Sequence, residues 1–180
     1  LQNTASVTFN MPANAVTIEA TFAPNTYAVT FNGNGGTPSI DSKTVTYDSE
    51  YGTLPTASLT GYTFAGWFTQ SEGGEQVTEE DIVKITADTE LFAQYTVNSY
   101  VLTVTNDGKG TTDVTNTEVV FDTEVTVEAT ANTGYHFDKW EVVKGAVALD
   151  DTAKVTFKMP AEDVEIKATF SANTYTVAFN

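Results

Sequence analysis

The residues in this chain that are able to carry out chemistry are few, and most are carboxylates. Acids gather at Glu72, Glu75, Glu79, Glu80 and Asp81, and again at Asp150, Asp151, Glu162 and Asp163. Two carboxylates flanking a cleft can hydrolyse a glycosidic bond, one as acid and the other as base or nucleophile. Several carboxylate oxygens converging in one loop can hold Ca²⁺. No EF-hand spacing and no repeated Asp-Gly ladder runs through these residues, which weighs against calcium, and a glycosidase pair is the weaker of the two readings. The first group falls at the start of a predicted helix, where acids offset the positive end of the dipole. Both groups are read as a solvated acidic rim.

Other chemistry has even less to draw on. There is no Cys, the single His is His136, and all eight basic residues are Lys. Metal sites and nucleophile–base pairs draw mostly on Cys, His or Arg, so no catalytic, cofactor-binding or metal-ligating residue is assigned. His136 stands beside Asp138 on a predicted strand and is read as a surface residue. Lys43, Lys84 and Lys167 occupy strand-like settings in which a lysine can form an isopeptide cross-link with Asn or Asp. The glycine runs at 33–36 and 108–110 follow a first strand and lack a phosphate-loop Lys, so they are turns. Trp67 and Trp140 could stack on a sugar ring, but the stronger reading is that they plug the core of a small domain.

The overall charge limits the partners. The 180 residues carry 24 acids against 8 lysines, a net charge of −16. That balance repels phosphate backbones and anionic lipid, so neither a nucleic acid nor a membrane surface is an expected partner. No run of about 20 apolar residues exists to span a bilayer. Leu1 opens the chain in mid-pattern, and any export signal or wall anchor is expected to lie outside this segment.

The elements that would position these residues repeat. Residues 7–32 and 155–180 match at 17 of 26 positions without a gap, at an offset of 148 residues. An Asn-x-Tyr signal recurs at 25–27, 98–100 and 173–175, in steps of 73 and 75 residues. In both complete copies a Gly-Tyr-x-Phe-x-x-Trp motif follows, 34 residues after the first Tyr. It contributes Tyr62, Phe64 and Trp67 in one copy and Tyr135, Phe137 and Trp140 in the other. The layout is therefore the tail of one module (1–24), a complete module (25–97), a complete module of a second type (98–172) and the first strand of another (173–180).

Alternation of apolar and polar residues marks strands, as at 124–130, where Val125, Val127 and Ala129 share a face. Residues 155–159 and 164–170 flank Pro160 and read as a hairpin with proline in the turn. Residues 32–36 and 106–110 supply tight turns. A two-turn helix is predicted over 79–85, with Thr78 as N-cap and Asp81 completing a capping box. Tyr62 and Phe64 share one strand face, whereas Trp67 has the opposite parity, which calls for a bulge near Ala65 and Gly66 or a second surface for the tryptophan. A module of about 73 residues sits near the lower limit for a self-sufficient core, so large aromatics must fill it.

These residues carry a resemblance. FNGNGGT, the Leu54-Pro55 step, GYTFAGWFT and the closing LFAQY resemble the Listeria–Bacteroides repeat, the B-repeat type of internalin-like surface proteins. GYHFDKW and TFKMPAEDVEIKATF in the second module resemble the divergent branch of that family. The resemblance implies mainly β, small α+β modules: tandem β-grasp-like antiparallel sheets, with one short helix in the first, strung as beads. It also implies a secreted, wall-associated setting on a Gram-positive cell surface. Such repeats serve as a non-catalytic spacer or stalk presenting a distal domain, or as adhesion modules for a host or matrix protein or a glycan, and they contact neighbouring repeats. No functional residue transfers, because the shared motif is one of packing.

Overall fold

Branched and aromatic side chains suit a pleated surface, and this chain is rich in both. The computed structural model describes residues 5–179, and every regular element among them is a β-strand. The first complete module holds β1 (Thr26–Asn32), β2 (Thr37–Pro38), β3 (Ser42–Thr46), β4 (Ala57–Ser58), β5 (Tyr62–Phe68), β6 (Gln76–Val77) and β7 (Thr89–Val97). Five of them form a sheet in the order β3-β1-β7-β5-β6, and β2 pairs with β4 alone. β1 and β7 run parallel at the centre, with Phe31 opposite Leu91.

The second complete module holds β8 (Ser99–Asn106), β9 (Gly110–Thr112), β10 (Asn116–Val120), β11 (Glu124–Ala131), β12 (Tyr135–Lys144), β13 (Lys154–Lys158) and β14 (Val164–Ala172). Its sheet β10-β8-β14-β12 repeats the order β3-β1-β7-β5, again with a parallel central pair. A second sheet, β13-β11-β9, completes the module. Each module has its own core. Val29, Phe31, Val45, Tyr51, Trp67, Val83, Leu91 and Ala93 cluster in the first, while twelve buried residues, from Leu102 to Phe170, cluster in the second. The turn after β1 uses Asn34 at φ 47° and Gly35 at φ 96°, a conformation that asparagine and glycine tolerate best.

Three expectations need correction. The helix over 79–85 does not form. Its carbonyls are used across the fold, since Glu79 O accepts from Gly52 N, Asp81 O from Tyr51 N and Val83 O from Asp48 N. Thr78 and Asp81 do bond to each other, with Thr78 N donating to Asp81 Oδ2 at 2.7 Å, but they close a local turn and cap no helix. With no helix among the described residues, the α+β, β-grasp description gives way to an all-β one. The expected hairpin also fails: β13 pairs with β11, whereas β14 pairs with β12 and β8, so residues 160–163 carry the chain from one sheet to the other.

Residues 5–24 are the sequence counterpart of residues 153–172. Val7, Phe9, Met11, Val16, Ile18 and Phe22 are all exposed, although they match buried Val155, Phe157, Met159, Val164, Ile166 and Phe170. Phe22 is 93% exposed and Phe170 is 3% exposed. Residues 154–172 pair with β8, β11 and β12, and no strand is assigned within residues 5–24.

Candidate functional site

The repeated aromatic motif is held by a bulge. Phe64 pairs with Tyr95 and Gly66 with Gln94, so Ala65 is an extra residue in β5. In β12 Phe137 pairs with Phe170 and Lys139 with Thr169, leaving Asp138 extra. The inserted residue reverses the parity and turns both tryptophans inward. Trp67 is 1% exposed and Trp140 8%. Each indole N–H is satisfied by a backbone carbonyl, Trp67 by Pro55 at 2.6 Å and Trp140 by Thr152 at 3.0 Å. Phe31 and Phe64 lie 4.7 and 5.4 Å from Trp67, centroid to centroid, and Phe137 lies 5.7 Å from Trp140. Neither tryptophan presents a face on which a sugar could stack.

Tyr62 and Tyr135 sit at the start of these strands, where the next module begins. Asn98 is the one residue between β7 and β8, and it is bonded to both modules. Its N–H donates to Gly61 O and its carbonyl accepts from Phe121 N, each at 2.9 Å. Thr63 Oγ1 donates to Asn98 Oδ1 at 2.6 Å. The Phe121 ring meets Tyr62 edge-on at 5.8 Å, and a Cβ on Gly61 would overlap that ring. Gly61, Asn98 and Phe121 thus form a joint between the two modules, and it escaped notice in the sequence. The signal was there, in VTYDSE at 45–50 and VVFDTE at 119–124, which place an aromatic at matching points.

Among the clustered carboxylates, Glu79, Asp81, Glu162 and Asp163 accept from backbone amides. Glu79 Oε1 accepts from Leu54 N and Glu162 Oε1 from Ala146 N. Asp163 accepts from Val101 N at 3.0 Å and from Lys144 Nζ at 2.9 Å, and these bonds hold it below the usual carboxylate range. Asp107 is also lowered: desolvation opposes ionisation, but the amides of Lys109 and Phe170 and the Lys109 ammonium outweigh it. Among the described residues no group of three or more His, Cys, Asp or Glu side chains could hold a metal ion. His136 Nδ1 lies 2.8 Å from Asn173 Oδ1, so it belongs to the joint leading to residue 173. Lys43 Nζ donates to the carbonyls of Tyr51 and Thr53, Lys84 pairs with Asp48 near the surface, and Lys167 stands opposite Glu141 on β14.

Burial raises the Tyr95 hydroxyl, which donates to Gly33 O at 2.9 Å, and burial followed by the Asp81 charge raises Tyr51. A groove of about 500 Å³ lies along Gly36, Ser58, Leu59 and Tyr62, with no charged side chain in its lining. What the two modules share is therefore a core and a joint.

Residues 27–94 match the Listeria-Bacteroides repeat domain family, and residues 1–26 and 100–174 match the Divergent InlB B-repeat domain family. The chain is 31% identical over 184 residues to Internalin H of Listeria monocytogenes, covering 95% of this chain and 31% of that protein. It is also 31% identical over 183 residues to a putative Gly-rich membrane protein of Evansella cellulosilytica, covering 95% of this chain and 20% of that one. The chain thus spans a third or less of the length of these relatives. No solved structure matches it significantly.

Proposed function

Because the chain belongs to the divergent InlB B-repeat family, with a Listeria–Bacteroides repeat set between two stretches of it, we propose that it is a spacer in a secreted or cell-surface protein. Its modules hold a distal domain away from a Gram-positive cell wall. One observation carries this reading: the residues that recur from module to module are core, turn and joint residues, with an exposed Lys–Asp pair beside each, and no metal-holding group stands among the described residues. The acidic surface keeps such a rod soluble and lets like modules repel one another sideways. Small-angle scattering on chains of increasing module number should give a maximum dimension that grows linearly. A compact particle whose size grows as the cube root of mass would overturn the reading. Protease shaving of intact cells should release these repeats if they stand outside the wall.

A second reading, adhesion to a host or matrix protein, has one feature in its favour. β6 pairs with the last two residues of β5, whereas β12 has no strand beyond it, with Val142 and Val143 exposed near its end. An extended peptide can add to such an edge. Matrix proteins titrated against the chain would shift the amide resonances of residues 141–144 if this holds, and a glycan panel provides the comparison.

A further inference from the structure

The joint at Asn98 is complete, and the rest of the chain contains both halves of another one, separated. Each half is recognised by matching it to the complete joint. Phe121 is the plug: its N–H donates to Asn98 O, and Asp122 beyond it takes φ 61° and pairs with Lys158. Tyr47 has every one of these features, with its N–H donating to Asn25 O at 2.8 Å, Asp48 at φ 66° and Asp48 paired with Lys84. Gly61 is the seat, with its carbonyl accepting from Asn98 N and Thr63 bonded to the Asn98 side chain. Gly134 matches it, since its carbonyl accepts from Asn173 N at 2.8 Å and His136 bonds to the Asn173 side chain.

In the two separated halves no second ring among the described residues meets the plug or the seat, and the neighbour over each ring is a lysine, Lys84 at Tyr47 and Lys109 at Tyr135. Gly61 is buried beneath Phe121, whereas Gly134 is exposed and a Cβ built on it would meet no atom within 4 Å. Phe121 is half-buried, whereas Tyr47 is exposed. Residues 5–24, which precede the Tyr47 module, contain no Gly-Tyr strand to receive the ring. Residues 173–180 repeat 25–32 at six of eight positions, so the module that Asn173 opens is of the type that carries Tyr47.

We propose that Tyr47 and the Gly134–Tyr135 ledge are the plug and seat of the joint between successive 148-residue units. The Tyr47 ring of one unit lies over Gly134 and against the Tyr135 ring of the unit before it, as Phe121 lies over Gly61 and against Tyr62. The occupant is thus another copy of the module 25–97, joined in the same chain through Asn173. Glycine is required at the seat because it leaves room for a ring and accepts φ 89° there. Each linker is a single Asn whose N–H bonds to the module before it and whose side chain is tied by Thr63 or His136, so a seated ring removes the remaining freedom. Every joint in the array then has a fixed angle.

This inference rests on the spacer reading only in taking units to follow one another. The test extends the 180-residue chain by appending residues 33–97 after Asn180, which completes a third module in register with the 148-residue period. Since the chain has no Cys, spin labels placed by Glu118→Cys and Thr44→Cys report on the Asn98 joint, and Glu118→Cys with the appended copy of Thr44→Cys reports on the Asn173 joint. We expect two distance distributions of similar narrow width. Tyr47→Ala in the appended module alone should broaden the second severalfold and leave the first unchanged. Because that position is on the surface, Trp140 fluorescence and the circular dichroism should not change. A broad distribution across Asn173 in the parent, or a narrow one indifferent to Tyr47→Ala, would overturn the proposal. Scattering separates this from failure of the spacer reading, because a loosely jointed array still lengthens with each module and a compact one does not.

Discussion

In the first complete module, the sheet β3-β1-β7-β5-β6 is covered by two irregular segments that bring Tyr51, Leu54, Val83 and Ile85 to its core. In the second, the equivalent sheet is covered by another sheet, β13-β11-β9, whose Val127, Ala129, Val155 and Phe157 face it. The two covers follow the same path. Asp48 N bonds to Val83 O as Asp122 N bonds to Met159 O, and the Glu50–Ile82 bridge stands where β11 pairs with β13. The difference lies in what interrupts the ladder. Residues 124–131 alternate without Gly or Pro, whereas Gly52 at φ 62° and Pro55 break the matching stretch after a few residues. The half that carries the tryptophan and the joint is common to both modules, while the cover varies with local sequence.

The largest test of that comparison removes the tryptophans one at a time. Trp67→Ala or Trp140→Ala should cost its module about 3–5 kcal/mol, more than a module of this size can spare. The buried clusters are separate, so each substitution should unfold one module and leave the other standing. The remaining tryptophan makes urea denaturation specific to its own module. If Trp67→Ala lowered the midpoint read by Trp140 as far as its own module falls, the two covers would belong to a single folding unit.

Next in size are the glycines under the closing aromatics. A Cβ on Gly36 would overlap the Tyr95 hydroxyl and Ser58 O, and one on Gly110 would overlap the Phe170 ring. Each alanine substitution should cost roughly 1–3 kcal/mol through overpacking. Gly110→Ala should cost more, because Phe170 lies between two sheets while Tyr95 is half-buried and can yield. Equal urea midpoint shifts would mean that the irregular cover is as stiff as the sheet.

The sequence made some features legible because they are local. The turn at 32–36 and the alternation at 124–130 depend on neighbours along the chain, and both have structural counterparts. Partnership is not local. Thr78, Asp81 and the acids around them satisfy the rules of a helix start, yet the carbonyls of 79–83 are claimed by residues 48–52. Residues 155–170 look like a hairpin because the sequence does not reveal that β11 and β8 offer longer ladders. The joint went unread for the same reason: Phe121 and Gly61 are 60 residues apart, and each alone is an ordinary turn residue.

Acid should separate the modules by a smaller margin. Asp107 and Asp163 have folded pKa values below the ordinary 3.8, so the stability they add to the second module is fully present above that value. It is lost as pH falls below about 4 and through the folded values. The urea midpoint read by Trp140 should therefore fall over this range, and Asp163→Asn should flatten the fall. Asn still accepts from Val101 N but has no charge to lose or to offer Lys144. The Trp67 signal should not respond to Asp163→Asn, and a response would mean that β14 supports the first module through the joint.

The smallest expected effect concerns the matched ion pairs, Lys84 with Asp48 and Lys158 with Asp122. All four side chains are more than half exposed, so water and salt screen them, and ordering two flexible side chains offsets most of the attraction. Lys158→Ala should leave the urea midpoint of the second module unresolved from the parent at physiological salt. Lys84→Ala should do the same in the first, although Lys84 also stands 5.5 Å over the Tyr47 ring. A clear loss in the first module alone would show that Lys84 supports its irregular cover, a burden that β11 and β13 take from Lys158. No loss in either module would leave both pairs as surface contacts beside a plug residue, and the Asp at positive φ would owe its place to the turn.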